Sequence, residues 1–130
     1  MKSVHTVAII EDNPIDVFIN TKVIQQAELA EEILPFNSAR EALNYLQNCS
    51  ELGSIPPELI ILDIRMPDMD GFDFLEVFET LPSSLKQYVK IVMLSSSLDP
   101  TDESRALSHS SVVAFISKPL TRDKILQFPE

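Results

Sequence analysis

Four stretches of this chain are apolar without interruption: Val7-Ala8-Ile9-Ile10, Leu59 to Leu62, Ile91 to Leu94 and Val112 to Ile116. All four are short and rich in β-branched residues, the pattern of strands buried on both faces, as in a parallel sheet. A fifth candidate, Ile33-Leu34-Pro35-Phe36, carries a proline, which confines it to a sheet edge. Between these runs the pattern turns helical. Asn13-Pro14 and Asp99-Pro100 each set a capping side chain before a proline at the first helical position. Ser38-x-x-Glu41 fits a capping box, and Asp70 caps a helix with Phe74, Leu75, Phe78 and Leu81 on one stripe. A short last helix after Thr121 runs to Phe128-Pro129. The order βαβαβαβαβα predicts an open parallel sheet with helices on both faces. Right-handed crossovers and a proline-bearing edge strand favour the strand order 2-1-3-4-5, that of flavodoxin-like folds.

Composition narrows the picture. At 130 residues, 45% of them hydrophobic, the chain is long enough to bury one core and reads as one domain over 1–130. No internal repeat or linker divides it. No apolar run approaches the ~20 residues of a membrane span, and "MKSVHTVAII" shows no cleavage-site pattern, so neither a signal peptide nor membrane insertion is expected. The single Cys49 excludes an internal disulfide, suits a reducing cytoplasm and reads as a small buried hydrophobe. Ten basic residues against twenty acidic ones give a net charge of −10, which repels phosphate backbones and argues against direct nucleic-acid binding.

The acidic residues become informative where they cluster. Strand 1 ends in Glu11-Asp12, and strand 3 ends in Asp63 within "IILDIRMPDMDG". In the order 2-1-3-4-5 these strands are neighbours, and ligands bind beyond their carboxyl ends where the winding reverses. Three converging carboxylates repel one another unless a proton or cation intervenes. A hard divalent ion with oxygen ligands, Mg²⁺ above all, is the natural relief. Ser95 after strand 4 and Lys118 after strand 5 bring a hydroxyl and an ammonium to the same edge, as a transferred phosphoryl group needs for its oxygens. On this reading Asp63 stands at a strand end because there it can be a nucleophile held by a metal.

These residues carry a resemblance over the full length. Glu11-Asp12, Asp63 in "LDIRMPDMDG", Ser95 in "IVMLSSS" and Lys118-Pro119 in "FISKP" resemble, in order and position, the receiver domain of bacterial two-component response regulators. The resemblance implies a CheY-like, flavodoxin-like fold and a stand-alone phosphorylation switch in the cytoplasm rather than a conventional enzyme. It implies Asp63 as phosphoacceptor, with Glu11, Asp12, Asp63 and the Arg65 carbonyl holding Mg²⁺. Ser95 would be the switch hydroxyl, Phe115 the switch aromatic and Lys118 the phosphate-contacting lysine, with a cis Lys118-Pro119 bond. Arg65 and Ser97, two residues past the acceptor and the switch hydroxyl, would set the phosphoryl lifetime. A histidine kinase or phosphotransfer protein would be the donor, docking on the first helix and the loop after Lys118, and an unknown protein would receive the output. Three positions depart from the common pattern. Glu11 replaces a frequent Asp, Ser95 replaces Thr, and "SHSSVVA" before Phe115 lacks a glycine and an acidic pair, which leaves the output surface open.

Each residue also has a plainer reading. Acidic pairs at helix starts often serve as caps, Asp63 precedes turn-forming Pro67, Asp70 and Gly71, and Phe115 suits a core. His5 and His109 read as bystanders. A haloacid-dehalogenase-type phosphatase wants a second Asp where Arg65 stands. An FMN binder wants a Ser/Thr/Gly-rich loop after strand 1, where the acidic "EDNPID" would repel a phosphate, and the chain has only two glycines. A receiver-fold adaptor that is never phosphorylated is the remaining rival.

Overall fold

A computed structural model describes residues 3–97 and 99–127. Strands β1 (Val4–Ile10), β2 (Ala30–Phe36), β3 (Leu59–Asp63), β4 (Lys90–Ser95) and β5 (Val112–Ser117) form one parallel sheet in the order β2-β1-β3-β4-β5. The proline strand lies at the edge, with Pro35 opposite Ile9. Its missing N–H costs nothing there, because no further strand asks for it.

Because side chains alternate across a strand, the central strands feed two cores. Ala8, Ile10, Ile60, Leu62, Ile91 and Met93 face helices α2 (Ala39–Leu52) and α3 (Gly71–Phe78) through Leu43, Leu46, Phe74, Leu75 and Phe78. Val7, Ile9, Leu59, Ile61, Val92 and Leu94 face the opposite side, where Ile24 of α1 (Pro14–Gln26) and Ile125 of α6 (Arg122–Leu126) cover them. Burying each such Leu, Ile or Phe contributes about 1.5–3 kcal/mol, so the apolar runs hold the strand ends rigidly in place. No helix among the described residues is long and apolar enough to cross a membrane.

The helix starts follow the capping chemistry. Asn13, Ser38, Asp70, Asp99 and Thr121 each accept a backbone N–H from the first turn of their helix. At Ser38 the structure shows the serine's half of the expected box, from Glu41 N–H; both reciprocal bonds form at Asp70 and Asp73.

Three expectations need correction. A six-residue helix, α4 (Ser83–Tyr88), lies between α3 and β4; it buries Leu85 alone, too little for a period to show. Helix α3 ends at Phe78, so Leu81 is buried from the following turn, where its N–H donates to the Phe78 carbonyl. Strand β5 is not buried on both faces. It is the other sheet edge, and Val113, Phe115 and Ser117 stay half-exposed. Helix α6 ends at Leu126, and Phe128-Pro129 lie outside the described residues. Helix α5 (Pro100–Leu107) starts at Pro100, directly after its Asp99 cap. Cys49 is buried on α2.

Candidate phosphoryl-transfer site

Strand register builds the site. Ile10 pairs with Leu62, Asp63 with Leu94 and Ser95 with Ser117, so Glu11, Asp63, Ser95 and Lys118 arrive together at the carboxyl edge of four adjacent strands. Backbone bonds lock the ends: Glu11 N–H donates to Phe36 O, Ile64 N–H to Leu94 O, and Lys118 N–H to Ser95 O at 2.7 Å. The Lys118-Pro119 bond is cis.

Glu11, Asp12 and Asp63 each offer an oxygen, and these lie within 4.8 Å of one another. Asp12 is exposed, whereas Glu11 and Asp63 are only 1% and 3% exposed. Three hard oxygen donors at such spacing fit Mg²⁺ or a similar cation, which takes one or two carboxylates and keeps waters. The electrostatics agree. Burial pushes Glu11 up to about 7 from its usual 4.5; its hydrogen bond to Lys118 opposes the rise, and the neighbouring Asp63 charge adds to it. Among the described residues no other group of three or more acidic, His or Cys side chains converges in this way. His5 and His109 sit instead beside single carboxylates, Glu31 and Glu79.

The Lys118 ammonium bonds to three carboxylates, Glu11 Oε1, Asp16 Oδ2 and Asp63 Oδ1, each at 2.9 Å. Burial disfavours its charge, but the hydrogen bonds to Asp63, Glu11 and Asp16 prevail and hold it above the usual lysine range. Asp16 escaped the sequence reading. An acid in the first turn of a helix reads as a dipole partner, and nothing in the spacing shows that α1 turns it toward strand 5.

Ser95 is buried at the same edge, but its hydroxyl is engaged within its own loop. It donates to Ser97 O at 2.6 Å and accepts from Ser97 N–H at 3.1 Å. Phe115 pairs with Met93 and packs, half-buried, against the α2–α3 core. Arg65 and Ser97 expose their side chains on the two loops that flank Asp63.

The loop from Asp63 to α3 is shaped by its turn residues. Asp68 takes a left-handed conformation and pairs with Arg40, and Gly71 N–H closes back onto Ile64 O. A Cβ on Gly71 would stand 2.8 Å from the Asp63 carbonyl oxygen and 3.0 Å from Ile64 Cα, so only glycine fits there.

The response regulator receiver domain model matches residues 7–128. A solved two-component response regulator from Cytophaga hutchinsonii is 32% identical, with a TM-score of 0.88 over 97% of this chain and 94% of that one. The sensory/regulatory protein RpfC of Xanthomonas campestris is 32% identical over 69 residues, which are 53% of this chain and 9% of RpfC. The rice two-component response regulator ORR1 is 26% identical over 92% of this chain, and the match spans 51% of ORR1. Receiver domains are signalling switches that take phosphoryl groups from histidine kinases in two-component systems. The chain belongs to the response regulator receiver domain family.

Proposed function

We propose that Asp63 is the phosphoacceptor and that its phosphorylation, dependent on Mg²⁺, switches protein contacts. The convergence of Glu11, Asp12, Asp63 and Lys118 on one strand edge carries this reading. An Asp63 carboxylate oxygen attacks the phosphorus of a phosphohistidine. The new O–P bond forms as the N–P bond breaks, and the electron pair leaves with the imidazole, which takes up a proton. Lys118, already 2.9 Å from Asp63 Oδ1, offers its N–H groups to the incoming oxygens and offsets their charge. Mg²⁺ held by Glu11, Asp12, Asp63 and the Arg65 carbonyl would neutralise the charge developing on the phosphoryl group.

The Ser95 hydroxyl then leaves its Ser97 partners for a phosphoryl oxygen, which redraws the β4–α5 loop, and Phe115 follows on β5. Ile15 and Phe18 stand 69% and 63% exposed on α1 beside the site, apolar surface suited to a docking kinase or phosphotransfer protein. Output passes to a downstream protein through the β4–β5 surface.

The unphosphorylated-adaptor reading makes the opposite forecast for one experiment. Incubation with acetyl phosphate and Mg²⁺ should label the wild type with an acid-stable, alkali-labile acyl phosphate, and Asp63→Asn should take up none. Label persisting on the variant would place the acceptor elsewhere, and an unlabelled wild type would favour the adaptor.

A further inference from the structure

Lys118 has three N–H donors, and each meets a carboxylate: Glu11, Asp16 and Asp63. Two of those partners also belong to the oxygen cluster that suits a cation; Asp16 does not. A divalent ion held by the cluster would draw on the carboxylates of Glu11 and Asp63, two of the three that hold the ammonium. Phosphorylation would then convert one Asp63 oxygen into the bridging oxygen of an acyl phosphate, an anhydride oxygen with little accepting power. Among the described residues, Asp16 is the one carboxylate partner of Lys118 that neither event engages.

Its placement suits a lasting hold. Asp16 lies in the first turn of α1, whose start is fixed by Pro14 and by Asn13 Oδ1 accepting from Ile15 N–H at 2.9 Å. Asn13 N–H in turn reaches Glu11 Oε2 at 3.4 Å, which ties the helix start to the site. The side chain is 29% exposed, at the mouth rather than the floor of the cluster.

We propose that Asp16 is a positioning residue for phosphoryl transfer: it keeps Lys118 Nζ over the acceptor while the cation and the phosphoryl group engage Glu11 and Asp63. It acts through Lys118 and contacts neither the metal cluster nor the reacting atoms. The inference rests on Asp63 being the acceptor. A merely structural acid at a helix start would affect stability through the dipole and leave the rate alone.

The experiment compares wild type with Asp16→Ala, Asp16→Asn and Asp16→Glu. It measures labelling rate at fixed acetyl phosphate and saturating Mg²⁺, the half-saturating Mg²⁺ concentration and the thermal midpoint. Loss of a charge-assisted bond to the ammonium should slow labelling of Asp16→Ala roughly ten-fold. Its half-saturating Mg²⁺ should stay within about two-fold of wild type, because Asp16 stands outside the ligand cluster. Asp16→Asn keeps an accepting oxygen without the charge and should fall between, and Asp16→Glu should recover most of the rate. Wild-type labelling in Asp16→Ala would overturn the inference and leave the acceptor reading intact. So would a Mg²⁺ requirement that rises as steeply as the rate falls, or a rate loss matched in all three variants by a fall in thermal midpoint. A wild type that takes no label would overturn both.

Discussion

Replacing Glu11 with Gln should stabilise the metal-free protein, and the gain should grow as pH rises from 5 to 8. The Glu11 carboxyl is almost fully buried, and burial lifts its pKa from 4.5 to about 7 against the pull of Lys118. Below about 4.5 the folded and unfolded chains both hold the proton. Between 4.5 and about 7 the folded chain keeps a proton that the unfolded chain releases, so stability falls as pH rises. Above about 7 both are ionised and the loss is complete. At 1.36 kcal/mol per pH unit the interval sets a ceiling of about 3 kcal/mol. The exposed Asp12 side of the site admits water, which reduces the figure to about 2 kcal/mol. Lys118 adds no slope in this window: its pKa is raised above 10.5, so the stability it contributes is fully present at lower pH.

The assay is urea unfolding of wild type and Glu11→Gln in EDTA across that range. Taking the difference cancels every titrating group the two proteins share. Wild type should lose about 2 kcal/mol relative to the variant between pH 5 and 8. Mg²⁺ at pH 8 should restore more stability to the wild type than to the variant, since ligand that binds only the folded state adds RT ln(1 + [L]/Kd). A gap that does not change with pH, or that changes in the opposite sense, would refute the buried-carboxyl argument.

Gly71→Ala should destabilise the fold by about 1–3 kcal/mol and slow phosphorylation, because the new methyl presses on the Asp63 and Ile64 backbone; unaltered unfolding and labelling would show that the loop yields freely. Hydrolysis of the acyl phosphate needs water in line with the leaving carboxylate; on the proposed reading, exposed Arg65 would obstruct that path and Ser97 would be too short to position the water. The double variant Arg65→Asn, Ser97→Glu should therefore lose phosphate on the order of ten-fold faster in excess Mg²⁺; equal or slower loss would remove both side chains from the path.

The strands and their order were legible because burial on both faces leaves an unbroken apolar run, and Pro35 marks its own edge. Helix starts were legible because a cap is a local bond between near neighbours in sequence. Helix α4 was not, since a single buried Leu85 leaves no period to read. Strand β5 looked doubly buried because Val113 and Phe115 are apolar, and apolar side chains at a sheet edge stay half-exposed at little cost. Within the site, the residues at strand ends could be read from sequence because register alone brings them together. Asp16 and the Ser95–Ser97 bonds could not: one depends on the rotation of a helix, the other on a hydroxyl's choice between its own loop and Asp63.

Charge counting at the strand edge supports the proposal that a cation takes part in the chemistry. Glu11, Asp12, Asp16 and Asp63 face one ammonium, Lys118, so the fully ionised cluster carries a surplus of three negative charges. A proton on Glu11 removes one of these, and the rise of its pKa to about 7 shows the fold already drawing on that remedy near neutrality. Converting Asp63 to an acyl phosphate exchanges one negative charge for nearly two. The single ammonium, already shared among three carboxylates, has no further N–H to offer without giving one up. Two positive charges placed among Glu11, Asp12 and Asp63 offset what the proton and Lys118 leave over, and at oxygens rather than at a distance. On the proposal that Asp63 is the acceptor, the cluster would be too acidic to hold a phosphoryl group alone and acidic enough to hold a divalent ion beforehand, so metal binding is expected ahead of transfer.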